Sequence, residues 1–351
     1  MKHMPQLDGV RAIAAGMVLF CHFAPGYPRI WASGVLLFFV LSGFLITGIL
    51  LRLRTQIVAG EMSVQAAFCH FYYRRTVRIF PLYFLVVGGG CAIGLFGFRE
   101  FWPYHLVYLS NLLPGTITGY TSHFWSLCVE EQFYLIWPFI VLLVPERNLK
   151  RLCYLLIAFR FLLCRIDPTM GKMLPGSVDA LCLGALLAMM HRENSIPHVF
   201  RFLAQPLHMT CLFFAMIAFS DTEVNAVDGT FSFPNIGLFH QPELCRISSG
   251  LFFMTVIHHA SKGVSGFQGT ILSNALLRYL GRISYGIYVY HLPVVGVLSL
   301  AWPVFAVNTW TLLIVKVLAT FAVAIPSYHL FEKPINDLKD RKFRMPAAEA
   351  A

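Results

Sequence analysis

The chain has 351 residues, 57% hydrophobic and 13% charged, with a mean hydropathy of +0.66. Soluble domains carry about 25% charged residues, so the composition excludes an ordinary soluble globule. The net charge of +10 does not indicate nucleic-acid binding. Lys and Arg fall mainly between apolar runs, where they report membrane topology. The nine cysteines form no CxxC pair and no zinc spacing, so neither a disulfide framework nor a metal site is expected.

A membrane span needs roughly 20 mostly apolar residues. Ten segments are candidates, the fifth and seventh of them short: 7–24, 33–51, 79–98, 125–144, 152–166, 174–191, 206–220, 244–261, 284–302 and 310–331. The expected fold is an all-α, polytopic transmembrane helical bundle of about ten spans. One membrane domain covers residues 1–334, and 335–351 form a short, basic, mobile tail. The first apolar run starts directly after LDGVR, so it is read as a retained span rather than a cleaved leader.

That first span carries Arg11 and His22, eleven residues apart. At about 100° per residue they share a face, about 16 Å apart along the axis. Charge inside a span is costly and points to function by default. The bland alternative is snorkelling at opposite helix ends. After the second span, Arg74, Arg75 and Arg78 crowd the entry to the third. Arg75 and Arg78 share a face at i, i+3. They read either as a topology signal or as a site for phosphates. The stretch 101–113 is apolar but short and rich in Pro and aromatics, which fits a re-entrant or interfacial segment.

The fourth span opens with WSLCVEEQFYLIWP, residues 125–138. Glu130 and Glu131 lie about one and a half turns inside it and point about 100° apart. Two carboxylates there do not face lipid. The competing reading is a buried ion pair that locks helix packing. Asp179 sits near the start of the sixth span, where it serves equally as an N-terminal helix charge. GRISYGIYVYH, residues 281–291, offers Gly281, Ser284 and Gly286 for close helix packing. Its His291, taken alone, reads as a core histidine.

Loop charges orient the bundle. With the N-terminus in the cytoplasm, loop 52–78 holds five arginines against Glu61, and loops 145–151 and 262–283 are basic too. The opposite loop 221–243 holds Asp221, Glu223, Asp228 and Glu243 with no Lys or Arg. The positive-inside rule therefore places both ends in the cytoplasm, although Arg165 and Lys172 fall on the outer side.

These segments, in order, resemble the acyltransferase-3 family of bacterial membrane acyltransferases over residues 5 to about 334. LDGVRAIAAGMVLFCH matches its arginine, ten residues, histidine signature through Arg11 and His22. GVLLFFVLSGFLIT, RRTVRIFPLYF, YLSNLL with HFWSLCVEEQFYLIWP, DALCLGALLA, LGRISYGIYVYH and FEKP continue the series. The resemblance implies transfer of an acyl group, commonly acetyl, from cytoplasmic acyl-CoA to a hydroxyl of a carbohydrate or glycolipid. No permanently bound cofactor is implied, and the expected location is the bacterial inner membrane. One departure is Gly176 and Ser177, just before Asp179, where many relatives carry an arginine. Another is that no hydrolase-like domain follows, so handover is expected within the membrane domain or through a partner.

On this resemblance, Arg75 and Arg78 are assigned to the CoA phosphates and Arg11 to the pantetheine arm or thioester. His22 is the expected general base, supported by Glu130. Trp125 and Ser126 are placed at the acceptor entrance, with Glu131 and Asp179 as further substrate-binding positions. Direct transfer and an acyl-histidine intermediate both remain open. The competing class is a transporter using Arg11, His22 and Glu130 as a pathway. No inverted repeat or matched pair of broken helices supports it.

Overall fold

The computed structural model describes residues 4–24, 33–113, 119–219, 242–301 and 309–342. Most of the acidic loop 221–243 and the tail beyond 342 lie outside these residues. The described residues form helices and connecting turns. They are α1 (Pro5–Phe23), α2 (Ser33–Val58), α3 (Val64–Ala92), α4 (Trp102–Leu106), α5 (Phe124–Leu143), α6 (Glu146–Ile166) and α7 (Leu174–Arg192). There follow α8 (His198–Leu203), α9 (Pro206–Ala218), α10 (Pro242–Lys262), α11 (Gly266–Leu272), α12 (Ala275–Arg282), α13 (Ser284–Ala301), α14 (Thr309–Ser327) and α15 (Lys333–Lys342).

Each of the ten expected segments is occupied by a helix. By length and apolarity, however, four described helical stretches are fit to cross a membrane: Ser33–Val58, Phe124–Leu143, Leu174–Arg192 and Trp310–Leu338. A fifth is made if α12 and α13, bent by 66°, count as one broken span. The ten segments are therefore helical, while about ten spans is not confirmed on these criteria. Charge explains part of the gap, since α6 opens with Glu146, Arg147, Lys150 and Arg151. Length explains α9, which has 13 residues. The 101–113 stretch forms α4 and a single 3-10 turn, Ser110–Leu112, too short to span. Of the tail expected at 335–351, residues 335–342 are helical as part of α15, which follows α14 through a π-helical turn at Tyr328–Glu332.

The core is built where small residues let helices touch. A Cβ on Gly43 of α2 would strike the Leu181 carbonyl of α7, and one on Gly184 of α7 would strike the Val40 carbonyl of α2. These two helices therefore meet backbone to backbone, as small residues permit. Phe44, Leu50, Leu181, Ala185 and Leu187 fill the seam on either side, all buried. Polar side chains secure the next layer. Trp137 Nε1 donates to Thr47 Oγ1 at 2.8 Å, joining α5 to α2. Arg54 donates to the Val141 and Val144 carbonyls at 2.6 Å each. It thus satisfies the open carbonyls at the C-terminal end of α5, where a cation is favoured. Elsewhere Gly281 of α12 is pressed on the Asp8 carbonyl, holding the N-terminal turns of α1 in place.

Overpacking a close seam costs about 1–3 kcal/mol. Gly184→Leu is expected to lower the melting temperature of the detergent-purified protein. Gly88→Ala, at a site with no atom within 4 Å of the added Cβ, is expected to leave it unchanged. Equal melting of the two variants would contradict the α2–α7 contact.

Candidate active site

A cavity of about 110 Å³ opens between α1, α2, α3, α5 and α13. Arg11, Arg75, Arg78, Glu130 and Glu131 all line it, so three basic and two acidic side chains share one chamber. Phe38, Phe39, Leu41, Leu45 and Ile46 of α2 form an apolar wall, and Ser126, Ser284, Tyr285 and Tyr288 add hydroxyls. The sequence places these groups by helical spacing. Arg75 and Arg78 lie one turn apart on α3, and the adjacent glutamates splay enough for both to reach the space.

Each charge has a counter-group. Arg11 donates to Asp8 Oδ1 at 2.9 Å, one turn back on α1. Arg75 stacks over the Tyr134 ring at 5.3 Å and interacts electrostatically with both Glu130 and Glu131. Glu130 Oε1 accepts from Ser42 Oγ at 2.6 Å, and Ser42 accepts from Tyr134 OH at 3.1 Å. Glu332 of the FEKP motif, buried against Gly286, contributes a further carboxylate that interacts with Arg78.

His22 stands outside this chamber. The expected partner was Glu130, but its ring Nδ1 instead faces His291 Nε2 at 3.0 Å, and the two rings stack at 4.9 Å. His291 Nδ1 faces the Tyr288 carbonyl at 2.6 Å. A carbonyl only accepts, so Nδ1 of His291 carries its proton and its neutral Nε2 accepts. His22 must then donate from Nδ1, which makes Nε2 the unprotonated nitrogen of the neutral ring; the ring also hydrogen-bonds the Val18 backbone. His22 is exposed while His291 is fully buried.

A third histidine completes the group. His123 lies 4.4 Å from the His291 ring, and its Nε2 faces the Val289 carbonyl at 3.3 Å. Its Nδ1 is buried without a hydrogen-bond partner among the described residues. Between the histidines and the chamber stand Ser126 and Tyr288, whose hydroxyls are hydrogen-bonded to each other. Tyr288 OH also donates to the His123 carbonyl at 2.9 Å. Sequence reasoning missed His123 and Tyr288. It passed over His291 because its partner lies 269 positions away.

Two expected acceptor residues sit elsewhere. Trp125 packs edge-on against Phe39 at 6.0 Å, and the cavity lining starts at its neighbour Ser126. Asp179 does not line the cavity. It accepts two bonds from Arg246, each 2.7 Å, and lies 3.8 Å from Arg160, which also pairs with Glu243. Arginines from α6 and α10 thus occupy the vicinity of Gly176 and Ser177. Arg160 Nε donates directly to the Gly176 carbonyl at 3.1 Å.

Comparison with known proteins places this arrangement. The model of the acyltransferase-3 family, described as an acyltransferase domain, matches residues 4–329. The chain belongs to the acyltransferase-3 family. Among its relatives is the peptidoglycan O-acetyltransferase OatA of Listeria monocytogenes, 28% identical over 95% of this chain and 56% of its own length. YrhL of Bacillus subtilis, provisionally named a peptidoglycan O-acetyltransferase, is 29% identical over 97% of this chain and 56% of its own. The acyltransferase-3 chain described here spans about half the length of these curated relatives. No solved structure matches it.

Removing one partner of a buried ion pair costs about 3–5 kcal/mol, because the other charge is stranded. Asp179→Asn strands Arg160 and Arg246 together, so a large loss of thermal stability is expected. Unchanged melting of this variant would return Asp179 to the pool of substrate-binding candidates.

Proposed function

We propose that this protein is a membrane O-acyltransferase that moves an acyl group, acetyl in the first instance, from acyl-CoA to a sugar hydroxyl. The observation that carries the proposal is the division of the site. An arginine-rich chamber lies on one side of the Ser126–Tyr288 pair and the hydrogen-bonded His22–His291 pair on the other. The relatives are named as peptidoglycan O-acetyltransferases, which makes a cell-wall glycan the first acceptor to try. In this reading all ten apolar segments cross, the loop charges put both chain ends in the cytoplasm, and the family resemblance puts the acceptor on the far side of the bacterial inner membrane.

In this reading Arg75 and Arg78 hold the CoA phosphates, since guanidinium pairs well with phosphate oxygens. The apolar face of α2 receives the pantetheine arm, with Arg11 beside the arm, so that the thioester reaches past the Ser126–Tyr288 pair to His22. His22 Nε2 takes the proton of the acceptor hydroxyl. The hydroxyl oxygen attacks the thioester carbonyl, the C–S bond breaks, and the proton returns to the leaving sulfur. His291 acts as a positioning residue by holding His22 in the tautomer that exposes Nε2.

Purified protein incubated with radiolabelled acetyl-CoA and glycan acceptors tests this directly. His22→Ala is expected to slow transfer by about 10²–10⁴-fold, the usual contribution of a general base, while acetyl-CoA binding persists. Near-normal transfer by that variant would sink the assignment.

Arg75→Ala combined with Arg78→Ala is expected to raise KM for acetyl-CoA at least about tenfold, given roughly 1.5–3 kcal/mol per charged hydrogen bond. An unchanged KM would refute the phosphate site. His291→Ala is expected to lower kcat with KM for acetyl-CoA unaltered, and His291→Gln, which keeps an acceptor, to restore part of it. A merely structural role would move both constants together.

A further inference from the structure

Attack on a thioester places negative charge on the carbonyl oxygen in the transition state, and a hydrogen-bond donor must meet it there. The arginines of the chamber are engaged elsewhere in the proposed reaction. Arg75 and Arg78 serve the phosphates, and Arg11 is held by Asp8. The remaining donors on the lining are hydroxyls. Several have no hydrogen to spare. Ser284 Oγ donates to the Gly281 carbonyl at 2.8 Å, and Tyr285 OH to the Ile79 carbonyl at 2.7 Å. Ser42 and Tyr134 both serve the Glu130 carboxylate.

Ser126 and Tyr288 differ. Both hydroxyls lie within bonding distance of one acceptor, the His123 carbonyl, Tyr288 OH at 2.9 Å and Ser126 Oγ at 3.2 Å. They also bond each other. Each hydroxyl brings one hydrogen. Tyr288 has the shorter contact, so it satisfies the carbonyl, and the Ser126 hydrogen goes to the Tyr288 oxygen. That hydrogen can turn to a ligand without orphaning the buried carbonyl. Ser126 also stands in the first turn of α5, a helix of 20 residues whose cap residue His123 makes no side-chain capping bond. The positive end of the helix therefore backs this hydroxyl. Both residues line the chamber, and the Tyr288 ring stands 5.5 Å from the His291 ring.

We propose that Ser126 Oγ donates to the thioester carbonyl oxygen as it becomes an oxyanion, with Tyr288 as the positioning residue. The assignment rests on the acyl-transfer reading above. As His22 takes the acceptor proton and the new C–O bond forms, the carbonyl π electrons move onto oxygen. The Ser126 hydrogen leaves Tyr288 for that oxygen. Collapse restores the C=O bond and expels the CoA sulfur, which takes the proton back from His22. The Ser126 hydrogen then returns to Tyr288. Ser126, expected at the acceptor entrance, is thereby assigned to the thioester carbonyl. Without the Tyr288 hydroxyl, the Ser126 hydrogen would satisfy the His123 carbonyl instead. One spare hydrogen thus depends on two hydroxyls.

Steady-state transfer from radiolabelled acetyl-CoA to soluble cell-wall glycan fragments by the purified full chain tests this. Ser126→Ala is expected to lower kcat by about 10²–10³-fold, the usual loss of one oxyanion donor. KM for acetyl-CoA and the melting temperature should stay at parent values. Tyr288→Phe is expected to lose as much, because Ser126 then turns to the carbonyl. The double variant is expected to fall within about threefold of either single variant, since the same hydrogen is lost in each. Ser126→Thr and Ser126→Val add the same bulk and differ by the hydroxyl. The Thr variant is expected to run at least about tenfold faster than the Val variant. That comparison decides the matter should Ser126→Ala fold poorly.

Equal rates in the Thr and Val variants would overturn the assignment. So would losses that multiply in the double variant, as two independent structural bonds would give. If transfer by the parent depends on His22 while Ser126→Ala is as fast as the parent, the oxyanion assignment fails and the acyl-transfer reading stands. If the parent transfers no acetyl from acetyl-CoA, that reading fails and the assignment falls with it.

Discussion

A charge enclosed by apolar helices must find a counter-group, because no water is at hand to solvate it. The arrangement of this bundle follows from that constraint. Arg11 is held by Asp8 within its own helix. Asp179 is clamped by Arg246 and faced by Arg160, tying α7 to α10 and α6. Glu130 is held by Ser42 and Tyr134, which joins α5 to α2. The ion cluster around Asp179 does not line the candidate active-site cavity. The cluster around Arg75 and Glu130 does not close, since its members surround open space. That difference separates a structural lock from a binding chamber.

Close helix approach then determines how far apart the polar groups lie. Gly43 and Gly184 bring α2 and α7 into backbone contact, which makes α2 a rigid wall. On the opposite side the bend between α12 and α13 turns the chain by 66°. The turn brings Tyr285 and Tyr288 to the chamber and leaves His291 beyond it. Tyr288 has two tasks in consequence. Its hydroxyl bonds Ser126 at the cavity edge, while its carbonyl holds the His291 ring one turn further on. One helical turn of α13 thus couples the arginine chamber to the histidine pair.

What the sequence made legible was whatever depends on helical spacing. The shared face of Arg11 and His22, the i, i+3 pair of Arg75 and Arg78, and the entry of Glu130 and Glu131 into an apolar helix all follow from a period of 3.6. The ordered motifs identified the family. Partners far apart in the chain were not legible. Glu130 looked like the support for His22 because both sat at similar depth, yet azimuth as well as depth decides contact. His291 takes that place from α13. Asp179 was drawn toward the site by its motif, while its partners Arg160 and Arg246 come from helices whose packing no local pattern encodes. Span count is not confirmed for a related reason. Apolar content marks a buried helix and a lipid-facing helix alike, and charges at one end of α6 and the shortness of α9 separate them only once helix limits are known.

The wall between chamber and histidines bears on how the proposed reaction would use two substrates of opposite character. In that proposal acyl-CoA, with its multiple negative charges, is matched by a basic chamber with an apolar flank. A sugar hydroxyl needs a base that stays neutral until the moment of attack, and a neutral imidazole within a histidine group meets that need. An arginine cluster in direct contact with the imidazole would disfavour its protonated form and weaken it as a base. Ser126 and Tyr288, two neutral hydroxyls hydrogen-bonded to each other, keep the cations apart from the base while leaving only small groups between them. Separation of charge, more than distance along the chain, is therefore the reason for a partition at this point in the helix bundle.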